Sequence, residues 1–255
     1  MKRLWLLLLF AFPLQAQQLV LQDSVALKGD VFVGFDNYNS LYFIKNNAVK
    51  KRTKEQTISY ADMRLGAIES VDIINPLKVL VYYANFNTVV LLDNTLNEIE
   101  RINFNEIEGF ANVESVRMAN NNSLWVFNKD NQQLELYNYR SGQRTLISQP
   151  IAGNILAQDS SFNFYFLLTE EQVVSFNVYG SIVEQYRNPN YKAIWRYKNS
   201  LIGLGIDNVF YQSAAPNRQF ALPDRFTKNT PKQLQLSGDF LYIYDGDFVF
   251  TFKLT

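Results

Sequence analysis

The chain of 255 residues contains no cysteine and no histidine. A Ser-His-Asp or Cys-His nucleophile pair therefore cannot be assembled from it. Zinc and haem sets built on thiolate or imidazole are excluded for the same reason. Disulfides are excluded too, which is unusual for a small secreted eukaryotic domain and ordinary for a bacterial periplasmic one. Lysine plus arginine and aspartate plus glutamate cancel at 24 each, so the concentrated basic footprint that nucleic-acid binding needs is missing. Glycine is scarce, at 11 residues, and no glycine-rich phosphate loop occurs. Gly203-Leu204-Gly205 sits in a strand-like run with no helix after it, and reads as a strand thinned where packing is tight. The longest apolar run, Leu4 to Leu14, falls well short of the ~20 residues of a membrane span.

That run has another reading. Lys2 and Arg3 precede it and Gln15-Ala16 follow, which is the layout of a secretory signal peptide cleaved after Ala16. The division expected is residues 1–16 as signal peptide and residues 17–255 as one domain. With no cysteine near the cleavage point, lipid attachment there is excluded. The expected location is the bacterial periplasm.

What the chain has in quantity is aromatic residues, 15% of the total with 20 Phe and 15 Tyr, the residue types that pack well on a pleated surface. From Asn122 to Ser148 they form a pattern. Leu124-Trp125-Val126-Phe127 runs into a Lys129-Asp130-Asn131 turn. Leu134 to Tyr139 follows, then a Ser141-Gly142 turn, then Thr145 to Ile147. Short apolar runs separated by Asn, Asp and Gly turns are a hairpin signature. Matching runs begin at Leu41, Lys78, Phe164, Leu201 and Phe240, at steps of about forty residues, the period of propeller blades. Their partner runs, at Val49, Val89, Leu134, Val173, Val209 and Phe248, keep the same step.

The fold class expected is therefore all-β, a single β-propeller of six blades with four antiparallel strands each. Seven blades remain an alternative, because the first and fifth units are the least regular. The sixth unit lacks one strand, and one strand, Leu19 to Leu27, is left over at the other end. The last blade is expected to be closed by that N-terminal strand, which removes the open edges. Trp125 reads as packing between blades. Thr53 to Met63 has room for a helical turn or two, and Pro223 to Pro231 reads as an irregular loop.

Candidate chemistry is thin. Glu106 with Glu108, Glu170 with Glu171, and Asp245 with Asp247 are the carboxylate pairs that a glycosidase would need, but all three fall in turns. Asp245-Gly246-Asp247 and Asp36-Asn37-Tyr38-Asn39 are oxygen-rich without the full spacing of a calcium loop, and Asp-Gly between strands is an ordinary hairpin turn. The expectation is no catalytic residues, no metal and no cofactor. The basic run Lys50-Lys51-Arg52-Thr53-Lys54 reads as the solvated end of a hairpin, with docking to an acidic partner as the alternative.

The turns between second and third strands would share one face of the ring. They contain Asn46, Asn47, Asn85, Phe86, Asn87, Asp130, Asn131, Glu170, Glu171, Asp207, Asn208, Asp245 and Asp247, and among them Lys129 is the one cation. The turns between third and fourth strands would share the opposite face, with Lys51, Arg52, Lys54, Arg140 and Arg218 in or beside them and Asp93 against the trend. An acidic, Asn-rich face opposite a more basic one would suit oriented docking. Phe86, Phe110 and Tyr38 are candidate anchors.

The unit from Asn122 to Gly142, N-x-L-W-V followed by L-x-L-Y-N-x-x-x-G, resembles the repeats of two-component-regulator-type and NHL-type propellers, with Gln172 to Ser181 and Thr88 to Asn97 as weaker copies. In length, start and rhythm the whole chain also resembles signal-bearing, cysteine-free bacterial propellers, among them a subunit of the type IX secretion translocon. The resemblance implies binding rather than catalysis, and protein partners, at the finest an outer-membrane translocon. A carbohydrate-binding or carbohydrate-active propeller is the alternative.

Overall fold

The computed structural model describes residues 19–198, 200–212, 219–228 and 231–254. The expected signal peptide lies outside them, as do Ser213 to Arg218.

Six four-stranded antiparallel sheets make up the chain. Strand β1 is Leu19–Ala26. The first blade is β2 to β5, Val31–Phe35, Leu41–Lys45, Ala48–Arg52 and Thr57–Tyr60. The second is β6 to β9, Ser70–Asp72, Val79–Tyr83, Thr88–Leu92 and Glu98–Asn103. The third is β10 to β13, Val113–Met118, Ser123–Asn128, Gln133–Asn138 and Arg144–Leu146. The fourth is β14 to β17, Ile155–Ser160, Phe164–Thr169, Gln172–Asn177 and Ile182–Arg187. The fifth is β18 to β21, Tyr191–Tyr197, Ser200–Gly205, Val209–Gln212 and Gln219–Ala221. The sixth is β22 to β24, Gln233–Ser237, Phe240–Tyr244 and Phe248–Leu254, and β1 completes it in the order β1-β24-β23-β22. The ring is a six-bladed β-propeller. Its last blade closes on the N-terminal strand, from Leu19 opposite Leu254 to Ala26 opposite Phe248.

The packing explains why the middle strands read as unbroken apolar runs rather than as alternation. In β7 and β8 every residue is buried, because each face of a blade lies against a neighbouring blade. Six clusters of buried side chains result, one at each blade interface. Trp125 shows the arrangement. It is fully buried in the third blade, 5.7 Å ring to ring from Tyr165 of the fourth, and its indole Nε1 donates to the Ser161 carbonyl at 3.0 Å. The fourth strands are polar and exposed by comparison.

Local departures from the sequence reading have local causes. Residues Arg225–Lys228, expected as irregular, form one turn of helix α1. Its Phe226 is buried edge-on to Phe250, and Arg225 lies 3.8 Å over the Phe250 ring. Between Thr53 and Met63 the chain forms β5, and a 3-10 turn follows at Met63–Leu65. Four inner strands also bulge near their start, skipping Val33, Glu114, Leu156 and Lys192. Gly203 has its expected role, since a Cβ there would fall 2.3 Å from the Tyr191 ring.

Truncating Trp125 to Ala should cost about 3–5 kcal/mol, the range for a large aromatic in a packed core, as read by chemical denaturation. A second expectation concerns acid. In the turn between β8 and β9 the Asp93 carboxylate accepts from the Asn97 and Thr95 amides at 2.9 and 2.8 Å, and these bonds hold its pKa down at about 2 against an ordinary 3.8. A carboxyl depressed in the folded state stabilises above its unfolded pKa and loses that contribution as pH falls through the folded one. The thermal midpoint of Asp93→Asn should therefore fall less between pH 4 and pH 2 than that of the parent.

Candidate functional site

Antiparallel pairing within each blade sends the turns between second and third strands, and the connections between blades, to one face of the ring. The turns between first and second and between third and fourth strands go to the other. On the first face lie the residues singled out in the turns between second and third strands. Asn85, Phe86, Asp130, Asn131, Glu170, Glu171, Asp207 and Asp247 are exposed there.

Two of the candidates have another job. Asn47 and Asn87 are left-handed, at φ 57 and 49, as a tight turn requires. Their amides are spent on the next connection. Asn47 Nδ2 donates to the Gly66 carbonyl at 2.6 Å and its Oδ1 accepts from Ile68 N at 2.8 Å. Asn87, itself buried, donates to the Ala111 carbonyl at 2.6 Å and accepts from Val113 N at 3.1 Å. These asparagines join a hairpin turn to the connection that leads into the following blade, and Asn87 reaches the first residue of its inner strand. Asn208 Oδ1 receives Lys192 Nζ at 2.6 Å, and Asp245 Oδ1 caps Asp247 N and Phe248 N at 2.9 and 2.8 Å.

The contrast of charge between faces also needs correcting in detail. The connections between blades bring Lys28, Arg64, Lys192 and Lys232 to the Asn-rich face, so Lys129 is far from being its sole cation. On the opposite face Lys51 is buried. It donates to the Asn94 carbonyl at 2.9 Å, lies 4.0 Å from the Asp36 carboxylate and sits over the Tyr42 ring. Arg52 donates to the Ala26 carbonyl at 3.1 Å. The basic run is thus partly internal, and Arg218 lies outside the described residues. Lys78, Arg117, Arg140, Arg196 and Lys198 place further positive charge on that side, with Arg140 paired to Glu100 at 2.8 Å and Lys198 to Asp239 at 2.8 Å.

The Asn-rich face also carries an apolar group around the second blade. Phe86 is 49% exposed at the tip of the second blade. On one side runs the Met63–Leu65 turn, whose Gly66 lies against Asn85 and Phe86. On the other runs the connection held to the Phe86 carbonyl by Asn105 Nδ2 at 3.0 Å. These two connections expose Met63 (78%) and Phe110 (51%). Phe110 adopts φ 25, rare for an aromatic residue, and Arg144 Nη1 fixes the loop through the Gly109 carbonyl at 2.6 Å. Glu106 and Glu108 border it. Tyr38, 73% exposed, belongs to the opposite face.

A second feature escaped the sequence reading. At the ends of the inner strands the ring encloses a cavity of about 470 Å³, open toward the opposite face. Its wall holds three carboxylates that are turned onto backbone. Asp72 accepts from Ile74 N and, across the blade boundary, from Met118 N, both at 2.9 Å. Asp159 accepts from Ser160 N at 2.8 Å and, from the next blade, Arg196 N at 2.7 Å. Asp36 takes Tyr38 N and Ser40 N at 2.8 and 2.9 Å. Desolvation pushes the Asp159 carboxyl up from its ordinary range. The only sequence signal was polar residues at inner-strand ends, which looks like any strand terminus.

The three carboxylate pairs lie in different parts of the ring, and none lines this cavity. Among the described residues no three acidic side chains cluster as a metal site would require.

No protein-family model and no curated sequence matches the chain. Solved structures do. A catalytically inactive His-to-Ala virginiamycin B lyase from Staphylococcus aureus with quinupristin superposes at TM-score 0.60 and 12% identity, over 96% of this chain and 83% of that one. A chain of a mitotic checkpoint complex matches at TM-score 0.61 and 11%, over 99% of both. A DUF4221 protein from Bacteroides vulgatus matches at TM-score 0.60 and 11%, over 94% and 98%. At these identities the likeness shows the propeller fold and nothing finer.

Replacing Asn87 with Ala should destabilise by about 1–3 kcal/mol, because Val113 N and the Ala111 carbonyl lose their partner. Replacing the exposed Asn131 should change stability by less than about 0.5 kcal/mol. Paired urea titrations check both.

Proposed function

We propose that the protein is a non-enzymatic, periplasmic protein-interaction module that docks through the Asn-rich face of its second blade. The observation that carries this is the exposure of Met63, Phe86 and Phe110 on adjoining, well-tethered connections. Large apolar side chains on a rigid surface with a polar rim have the character of interface anchors. Support for the location comes from the Lys2-to-Ala16 pattern and the absence of cysteine. Support for a binding role comes from the similarity in fold to a chain of a mitotic checkpoint complex. A lyase of the same fold is inactive when a histidine becomes alanine, and this chain has no histidine to offer.

In its finest form the proposal makes the chain the periplasmic plug of a type IX secretion translocon, closing an outer-membrane channel. That form rests on the resemblance in length, start and rhythm. A carbohydrate-binding role has one observation in its favour, a polar depression of about 270 Å³ between the second and third blades. There Lys78 Nζ meets Tyr139 Oη at 2.7 Å and Asn122 Oδ1 at 3.0 Å beside Asn75 and Phe162.

Tagged protein recovered from intact bacterial envelopes should bring down an outer-membrane partner. The double variant Phe86→Ala/Phe110→Ala should weaken capture at least about thirtyfold, as loss of a hot spot does, with thermal stability unchanged. Recovery of the protein alone, together with binding on a glycan array that Tyr139→Ala abolishes, would replace the interaction reading with the sugar one.

A further inference from the structure

The cavity at the inner-strand ends combines charges in an unusual way. Its carboxylates are each bonded to backbone, with Asp36 Oδ2 left without a hydrogen bond, and its guanidinium groups form no ion pair among the described residues. Asp36, Asp72 and Asp159 each accept two backbone N–H groups within the ring. Arg117 of the third blade and Arg196 of the fifth flank Asp159 of the fourth and line the same space. Neither forms an ion pair among the described residues. Arg117 Nη2 reaches only the Gln158 carbonyl, at 3.4 Å, and Arg196 Nη1 only the Lys198 carbonyl, at 3.4 Å. A guanidinium has five N–H donors in a planar fork, so most of this donor capacity is unused.

Part of the remaining wall is apolar. Val33, Phe35, Val71, Ile73 and Trp195 come from the first, second and fifth blades. At about 470 Å³ the space falls in the size range of small-molecule sites. Both glutamines of the wall are occupied. Gln235 Oε1 accepts from Phe35 N at 2.8 Å and its Nε2 donates to the Phe35 carbonyl at 3.0 Å. Gln158 Oε1 accepts from Ser115 Oγ at 2.6 Å and from the Tyr165 hydroxyl.

We infer that this cavity binds a small organic carboxylate, whose charged end is held between Arg117 and Arg196 and whose apolar body lies against Trp195 and the first two blades. Guanidinium and carboxylate match as planar, two-pronged partners, and charge-assisted bonds of this kind are about twice as strong as neutral ones. Desolvation raises the Asp159 carboxyl above its ordinary range, while the two backbone N–H bonds and the Arg117 charge act against that rise. The site is on the face opposite Phe86, so its occupancy and partner docking are separable.

Isothermal titration of the full chain with phenylacetate, its neutral isostere phenylacetamide and inorganic phosphate tests the inference. Phenylacetate should bind saturably with Kd near or below about 1 mM, a modest affinity for a fragment of this size. Phenylacetamide and phosphate should each bind at least about tenfold more weakly, the first for want of charge and the second for want of an apolar body. Arg117→Gln and Arg196→Gln should each weaken phenylacetate about tenfold or more while leaving the thermal midpoint in place. Lys54→Gln, on the outer rim, should leave binding unchanged. Equal binding of the amide, equal binding of phosphate, indifference to both arginine variants, or no saturable heat up to about 10 mM would overturn the inference.

Discussion

Each blade of this ring is apolar on both faces of its middle strands, so no blade is stable with fewer than two neighbours. That constraint governs the rest of the structure. An open row of such sheets would leave two terminal faces exposed to water, and only closure removes them. Closure falls to Leu19–Ala26 pairing with Phe248–Leu254, a contact between the two ends of the described chain. The interface clusters then form a continuous circuit of dense packing, in which Trp125 against Tyr165 and Phe104 against Tyr137 at 5.5 Å are representative members.

Closure creates a second problem. The inner strands have no strand neighbour on their channel side, so their edges present unpaired N–H and carbonyl groups. Side chains from the preceding blade satisfy several of them. Gln235 pairs with both backbone groups of Phe35, Asp72 takes Met118 N, Asp159 takes Arg196 N and Asn87 takes Val113 N. These bonds link blade to blade around the axis with side chains instead of strand pairing. They also decide what is left for function. Most carboxylates near the axis are bonded to the fold, and Arg117 and Arg196 there are in no ion pair among the described residues. Around the second blade of the Asn-rich face Met63, Phe86 and Phe110 remain exposed.

Much of the fold was legible because its signals are local and repeated. The runs at Lys78, Leu124 and Phe240 mark second strands, and the leftover strand at Leu19 matched the strand missing after Phe248. The α1 turn was not legible, since four residues between prolines carry no periodicity and the buried Phe226 gives the turn its reason. The sites were much less legible. Asn47, Asn87, Asp130 and Asn131 look alike as turn residues, yet the first two are bonded into the next blade and the last two face solvent. Lys51 looked like surface charge and is internal. Arg117 and Arg196 stand 79 positions apart in number and share no motif, so nothing short of the closed ring brings them to one cavity.

Taken alone, the sequence determined the repeat, the manner of closure and the exclusion of histidine and cysteine chemistry, and left the blade count between six and seven. These follow from residue type and spacing along the chain, where each strand and turn is encoded within a few neighbours. Only the tertiary structure decided which polar side chains are spent on bridging blades and which remain free, and where Phe86 acquires Met63 and Phe110 as companions. That information resides in contacts between units about forty residues apart. The side chain at a blade tip is identical in type whether it faces water or the backbone of the next blade.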